Sequence, residues 1–280
     1  MKLEHFILTR FNIQIWSRDK YQQSVRSEGW LEQRFMLFEK FCLPSILGQT
    51  NKEFEWIVLF DTETPERFKE KIKDYKLICP QFLPLFVKPE HGKYFCQIFK
   101  NEVSKRMTGQ YILTTYLDND DALNKDFIEN LHNKANEIDS KAFICYSDGF
   151  QYFTDSNLLF EIHYPTNHFI SLLEKGNRET LKTVYGYGSH AYINKIPGLK
   201  IVYIPDSPQW CEVIHERNMV NDAYFLSGIK MIRDKKILKD KFSIDESVNY
   251  GIGLYLFRFM PRYIKTFFRR IKYFVFGRKW

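Results

Sequence analysis

This chain of 280 residues contains no Cys-x-x-Cys pair, and its five cysteines, Cys42, Cys79, Cys96, Cys145 and Cys211, are odd in number and widely scattered. That argues against a disulfide scaffold and a zinc cage, and points to a reducing cytosol. No uncharged stretch reaches the roughly 18 residues that a membrane-spanning helix needs. The N-terminus, Met1 to Phe6, carries Glu4 and only a short apolar run, so it does not read as a signal peptide. Internal repeats and low-complexity segments are also missing. Acid is absent from one region: Ser247 to Trp280 holds eight Lys or Arg and no Asp or Glu. The rest holds 33 basic against 34 acidic side chains, so the net charge of +7 resides in the tail. An anionic surface is the expected partner of that tail alone.

What is present reads as a globular protein. A hydrophobic share of 44% with 27% charged residues is ordinary for a soluble domain, and the length allows one large domain with an appendage. The 26 Phe and 17 Tyr exceed what a plain core needs, and suggest some aromatic surface meant for a ligand. His5 to Thr9, Glu55 to Asp61, Leu83 to Val87, the apolar run from Tyr111 up to Asp118, and Ala142 to Tyr146 read as strands. Ser17 to Gly29 reads as a loop. Helices are expected from Leu31 past Cys42 (kinked or restarted at Pro44 and ended by Gly48), after Thr64 as N-cap with Pro65 at the first position, from Tyr94 to Met107, and from Asn124 to Ile138. Strands alternating with helices over 1–150 predict an α/β fold with a mostly parallel central sheet flanked by helices. From Gln151 to Asp206 the pattern breaks into short aromatic segments. Trp210 to Asn218 then reads as a short helix and Lys230 to Phe242 as a polar linker. The expected division is a catalytic domain over 1–242, with halves 1–150 and 151–242, followed by a basic tail over 243–280.

The sharpest motif is Tyr111 to Leu123, where an apolar strand stops on Asp118, Asp120 and Asp121. In α/β proteins, ligands bind at the carboxyl ends of the strands. Carboxylates this close repel unless something positive sits among them, and a divalent cation bridging phosphate oxygens is an economical answer. The reading is a nucleotide-diphosphate site. A calcium loop would place Asp118, Asp120 and Glu129 at positions 1, 3 and 12, but Leu123 then occupies the sixth position, which demands Gly.

Leu8-Thr9-Arg10-Phe11-Asn12, Phe41 to Ile46 with Gln49-Thr50, Trp56 to Asp61, Leu117 to Ala122, and more faintly Trp210 to His215 with Asn218, occur in an order that resembles the GT-A glycosyltransferases. These are the nucleotide-sugar-dependent family-2 group, and the chain is most similar within it to bacterial rhamnosyltransferases. The resemblance implies a nucleotide-diphospho-sugar donor and a divalent metal, Mn or Mg. Thr9 and Arg10 would line the nucleotide pocket, Asp61 would meet the base or ribose, Asp118 the ribose or metal, and Asp120 the metal.

Inverting sugar transfer needs a base for the acceptor hydroxyl. The candidates are Glu212, then Asp148 after a strand end, then His215, with Glu212 and His215 on one face of the expected helix. Gly186 to His190 reads first as an ordinary turn, and only the resemblance makes it a candidate loop facing acceptor or diphosphate. Met260, Ile264, Phe267, Phe268, Ile271 and Phe274 recur at helical spacing, opposite Arg262, Lys265, Arg269 and Lys272. Such a helix would lie on an anionic bilayer, and its rival reading is a helix packed on the body. The neutral body gives no basic face for nucleic acid. The expected function is a cytoplasmic glycosyltransferase, peripheral on the inner membrane face, acting on a bacterial surface glycan or lipid-linked acceptor. The alternative is a non-catalytic module of the same fold that binds anionic membrane or polysaccharide.

Overall fold

Buried β-formers set the central sheet. In chain order the elements begin β1 (Leu3–Arg10), α1 (Glu28–Leu37), α2 (Leu43–Leu47), β2 (Glu55–Asp61), α3 (Glu66–Ile78), β3 (Phe82–Val87), α4 (Phe95–Arg106) and β4 (Tyr111–Tyr116). They continue β5 (Ala122–Leu123), α5 (Phe127–Asn136), β6 (Ala142–Tyr146), β7 (Asp148–Phe153), β8 (Leu158–His163) and β9 (Ile170–Lys175). The last are β10 (Lys200–Ile204), β11 (Trp210–Ile214), β12 (Lys230–Met231) and α6 (Ile237–Phe242). This computed structural model describes residues 2–15, 27–215, 230–234 and 236–249, together with 251, 253 and 264. The expected loop over Ser17 to Gly29 lies largely outside them.

Seven strands form one sheet in the order β10-β6-β9-β4-β1-β2-β3. All run parallel except β9, which pairs antiparallel with both β4 and β6. Alternation along each strand feeds two cores. Trp56, Val58 and Phe60 of β2 face the core built with α1, α3 and α5. Ile57 and Leu59 face the other, against Phe99 and Val103 of α4. Helices therefore cover both faces, as the alternating pattern predicted. Pro44 behaves as expected too. It has no N–H to continue the helix, and a π-helical turn over Phe38–Cys42 joins α1 to α2 just before it, with Gly48 as C-cap.

A second sheet, β12-β8-β7-β11-β5, packs on α6 through Phe150, Tyr152, Val213, Leu238 and Phe242. It corrects two expectations. Trp210–Ile214 is a strand and not a helix: it pairs parallel with β7 and antiparallel with β5, and this pairing overrides the short helical spacing. Lys230 to Phe242 is not a plain linker, since β12 adds to β8 and α6 buries Leu238 and Phe242. Thr64 does not cap α3. Its hydroxyl donates to the Asp61 carbonyl at 2.7 Å and accepts from Asn12 at 2.9 Å, and Pro65 flanks the helix instead. Ile244 and Val248, placed by sequence in the tail, are buried in the third core.

Candidate active site

The parallel register brings Leu8 opposite Tyr116, so Arg10 at the end of β1 and Asp118 just past β4 emerge side by side. A cavity of about 580 Å³ opens there, lined among others by Arg10, Asn12, Arg34, Tyr116, Asp118, Asp120, His168, His190 and Glu212. That volume suits a nucleotide-sized ligand. The site sits at the carboxyl edge of the sheet. From the second sheet, Cys211 of β11 pairs with Ala122 of β5, which draws Glu212 and His215 against the acidic turn.

Each aspartate of the turn meets its own partners. Tyr116 donates its hydroxyl to both Asp118 oxygens at 2.8 Å, while Arg10 donates to Tyr116 at 2.7 Å and lies 3.6 Å from Asp118. Asp120 Oδ2 meets Arg34 Nη1 at 2.7 Å and His215 Nε2 at 2.8 Å. Asp121 accepts the Val213 N–H at 2.9 Å, and its other oxygen lies 2.7 Å from His168 Nε2. His168 is presented by Asn167, whose amide ties the loop to the carbonyls of Tyr146 and Tyr164. The neighbouring Phe169 stacks on Trp210, and Trp210 fits over β7 only because Gly149 lacks a Cβ, which would come within 2.1 Å of the indole. Gly188, at φ +77°, turns the loop that carries Ser189 and His190 to the cavity.

Electrostatics follow from this pairing. Burial alone would raise the Asp120 carboxyl, but the Arg34 charge and the His215 contact together hold it below the usual carboxylate range. Burial pushes the Asp121 carboxyl up, and His168 only partly offsets that. His168 itself is pushed up to about 9, because its contact with Asp121 outweighs burial. Burial also raises the Glu212 carboxyl, against the pull of His168 and of a hydrogen bond from Gln151. A carboxyl raised by burial has a greater appetite for a proton than a solvated one.

Residues 8–224, well over half of the chain, match the family described as "Putative rhamnosyl transferase". The chain belongs to that family. Its α/β architecture, a mostly parallel sheet flanked by helices and ending on the acidic turn, is the one its ordered motifs implied. No curated protein matches it by sequence. Among solved structures, S. aureus TarS aligns at TM-score 0.42 and 13% identity, covering 76% of this chain and 37% of that one. S. aureus TarS 1-349 in complex with UDP aligns at 0.43 and 13%, covering 76% and 61%. This chain thus spans less than two thirds of either of those structures.

The sequence-derived candidates divide in two. Arg10, Asp118, Asp120 and Glu212 line the cavity, and His215 touches Asp120 from behind. Thr9 and Asp61 are not among the lining residues. The Thr9 hydroxyl is buried and accepts the Trp56 indole N–H at 2.9 Å, while Asp61 accepts the Glu63 N–H at 2.8 Å within its own turn. Asp148 also lies off the cavity, with its carboxylate 2.8 Å from the exposed His163. The Gly186 to His190 segment does reach the cavity, through Gly188, Ser189 and His190. Sequence reasoning missed Arg34, Tyr116 and His168. Arg34 left a signal, since it lies three residues after Leu31 and four before Phe38, on an otherwise apolar stripe.

The donor set suits the divalent cation that the resemblance implies. Asp118, Asp121 and His168 each offer one ligand atom, and these atoms lie within 4.8 Å of one another. Two carboxylates and a neutral imidazole suit Mn²⁺ better than Mg²⁺, which takes oxygen ligands. Asp118 is common to this set and to the Asp118–Asp120 pair expected from sequence.

Proposed function

We propose that this glycosyltransferase moves a sugar, rhamnose by its family, from a nucleotide-diphosphate donor to a hydroxyl of a bacterial surface glycan or lipid-linked acceptor, with inversion. The observation carrying the reading is a buried carboxylate, Glu212, lining the same cavity as the acidic turn and Arg10. Arg10 supports an anionic donor: its guanidinium sits over the rings of Phe95, Tyr116 and Tyr185, and its buried Nε has no hydrogen-bond partner among the described residues. A buried donor left unpaired is costly, and a phosphate oxygen or a base carbonyl would satisfy it.

In this mechanism Glu212 Oε takes the proton of the acceptor hydroxyl as that oxygen attacks the anomeric carbon. The bond from that carbon to the diphosphate oxygen breaks, and the nucleoside diphosphate leaves with the electron pair. Arg10 and His168 face the growing negative charge of the leaving group. A bound Mn²⁺ or Mg²⁺, held by Asp118 with Asp120 or with Asp121 and His168, would supply Lewis-acid stabilisation of the same charge. Residues of the Gly188 to His190 loop would border the acceptor. The enzyme would work in the cytoplasm at the inner membrane face, held by its basic tail. A donor screen tests the reading. The purified chain is incubated with Mn²⁺ and a panel of nucleotide-sugars, and release of nucleoside diphosphate is scored. Consumption of dTDP- or UDP-rhamnose above the other donors is expected; preference for another sugar removes rhamnose, and consumption of none removes the donor class.

A further inference from the structure

Among the described residues, Arg34 is the one lysine or arginine that a helix, α1, brings to this cavity. Its Nη1 donates to Asp120 Oδ2 at 2.7 Å and to Asn119 Oδ1 at 3.3 Å, and its guanidinium lies 5.2 Å from the centre of the Trp30 ring. Both side chains of the pair are largely buried, at 12% and 9% exposure. Asn119 is tied in turn by its own amide to the Phe11 carbonyl at 2.9 Å. The guanidinium is therefore held on three sides by a ring, an amide and a carboxylate, and it still lines the cavity.

This fixed charge changes the account of the acidic turn. The three carboxylates need positive charge among them, and here the protein itself supplies it at Asp120. The consequence is visible in the donor set: Asp118 gathers with Asp121 and His168, while Asp120 stays with Arg34 and His215. A buried carboxylate already paired to a guanidinium is a poor ligand, since the metal must displace that partner and leave it uncompensated. A diphosphate entering beside Arg34 offers the guanidinium two new acceptor oxygens in the planar geometry it favours.

We propose that Arg34 is the resident counter-ion of Asp120 and keeps this carboxylate out of the metal's shell until the donor's diphosphate takes the guanidinium over. Metal and donor would then bind as a coupled pair, and Arg34 is the positioning residue that couples them. This rests on the metal-dependent reading above.

The test is Mn²⁺ binding by the full chain, read from the electron paramagnetic resonance signal of free Mn²⁺, with and without UDP or dTDP. Without nucleotide, Arg34→Gln should bind Mn²⁺ roughly ten-fold more tightly than wild type, within the range typical of coupled sites. Arg34→Lys, which keeps the charge, should stay near wild type. With nucleotide present the difference should shrink. Equal or weaker nucleotide-free binding by Arg34→Gln overturns the proposal. Asp120→Asn supplies a second arm should Arg34→Gln lose its cooperative melt. That variant should leave nucleotide-free Mn²⁺ affinity unchanged and weaken the nucleotide-loaded affinity, and equal loss in both states overturns the proposal. If wild type binds no Mn²⁺ in either state, the metal reading falls and takes this inference with it. If wild type binds Mn²⁺ and the variants follow it in both states, only the role of Arg34 falls.

Discussion

Gln151 Nε2 donates to Glu212 Oε2 at 2.6 Å, across two parallel strands in which these residues are register partners. The bond fixes one oxygen of a residue that is 3% exposed and lines the cavity. Glu212→Gln keeps the shape and removes the basicity. Transfer should fall by roughly 10²–10⁴-fold, the range of lost general-base catalysis, while donor binding survives. Single-turnover transfer and donor affinity, measured on the same preparation, separate the two. Near-normal transfer would move the proton to another group, and a matching loss of donor affinity would make Glu212 a binding residue.

The fold was legible where burial is two-sided and continuous. Glu55–Asp61 and Ala142–Tyr146 have the bounds read from sequence, because apolar runs closed by polar turns leave few alternatives. Trp210–Ile214 was misread because five residues carry too little periodicity to separate helix from strand. Its pairing with β7, which sets Gln151 opposite Glu212, is long-range and leaves no mark in the segment itself. The acidic turn was legible as a site, but its partners were not. His168 depends on Asn167 pinning a loop, and Arg34 reaches Asp120 across 86 residues of sequence. Asp148 shows the opposite error. It ends up beside the strand ends that build the site, yet its carboxylate turns outward to His163. Local sequence placed a carboxylate near a strand terminus, whereas pairing within the second sheet decided which carboxylate lines the cavity.

A pH dependence of stability follows from a buried polar chain beneath the site. His132 Nε2 lies 3.0 Å from His5 Nδ1, His5 Nε2 lies 2.7 Å from Thr115 Oγ1, and Thr115 Oγ1 lies 2.7 Å from Ser171 Oγ. Burial, reinforced by His132, pushes His5 well below its ordinary value; burial also lowers His132, against the pull of Glu53 and Glu129. Below the ordinary histidine value of 6.5 the unfolded chain binds protons that the folded chain refuses. Stability is therefore full above that pH and is lost as the pH falls, by about 1.4 kcal/mol per pH unit for each histidine that stays neutral. Between about pH 7.5 and 5.5 this loss opposes a gain from the raised Asp121, Glu212 and His168, so it is read as the difference in urea-midpoint slope between wild type and variant. His132→Gln, which keeps a partner for His5 and removes one titrating ring, should reduce this loss. An unchanged slope in that variant would assign the acid sensitivity elsewhere.

The basic tail yields the last prediction. Its residues from Pro261 onward lie outside the described part of the chain except for Ile264, so the expectation rests on sequence. The segment over Ser247 to Trp280 holds all of the excess charge. Each basic residue near an anionic surface contributes about 1 kcal/mol. Arg262, Lys265, Arg269 and Lys272 together could contribute up to about 4 kcal/mol at low salt, and less as ionic strength rises. Phe267, Phe268, Ile271 and Phe274 would add an apolar contribution that salt does not screen. Removing the chain from Pro261 onward should release the protein from anionic vesicles and preserve donor binding. Co-sedimentation of full-length and truncated protein, with neutral and anionic lipid at low and high salt, measures this. Equal sedimentation of the two forms would refute membrane attachment through the tail. A truncated form that aggregates or loses its cooperative melt would show the tail to be a helix packed on the body, which already buries Ile244 and Val248 at the start of this segment.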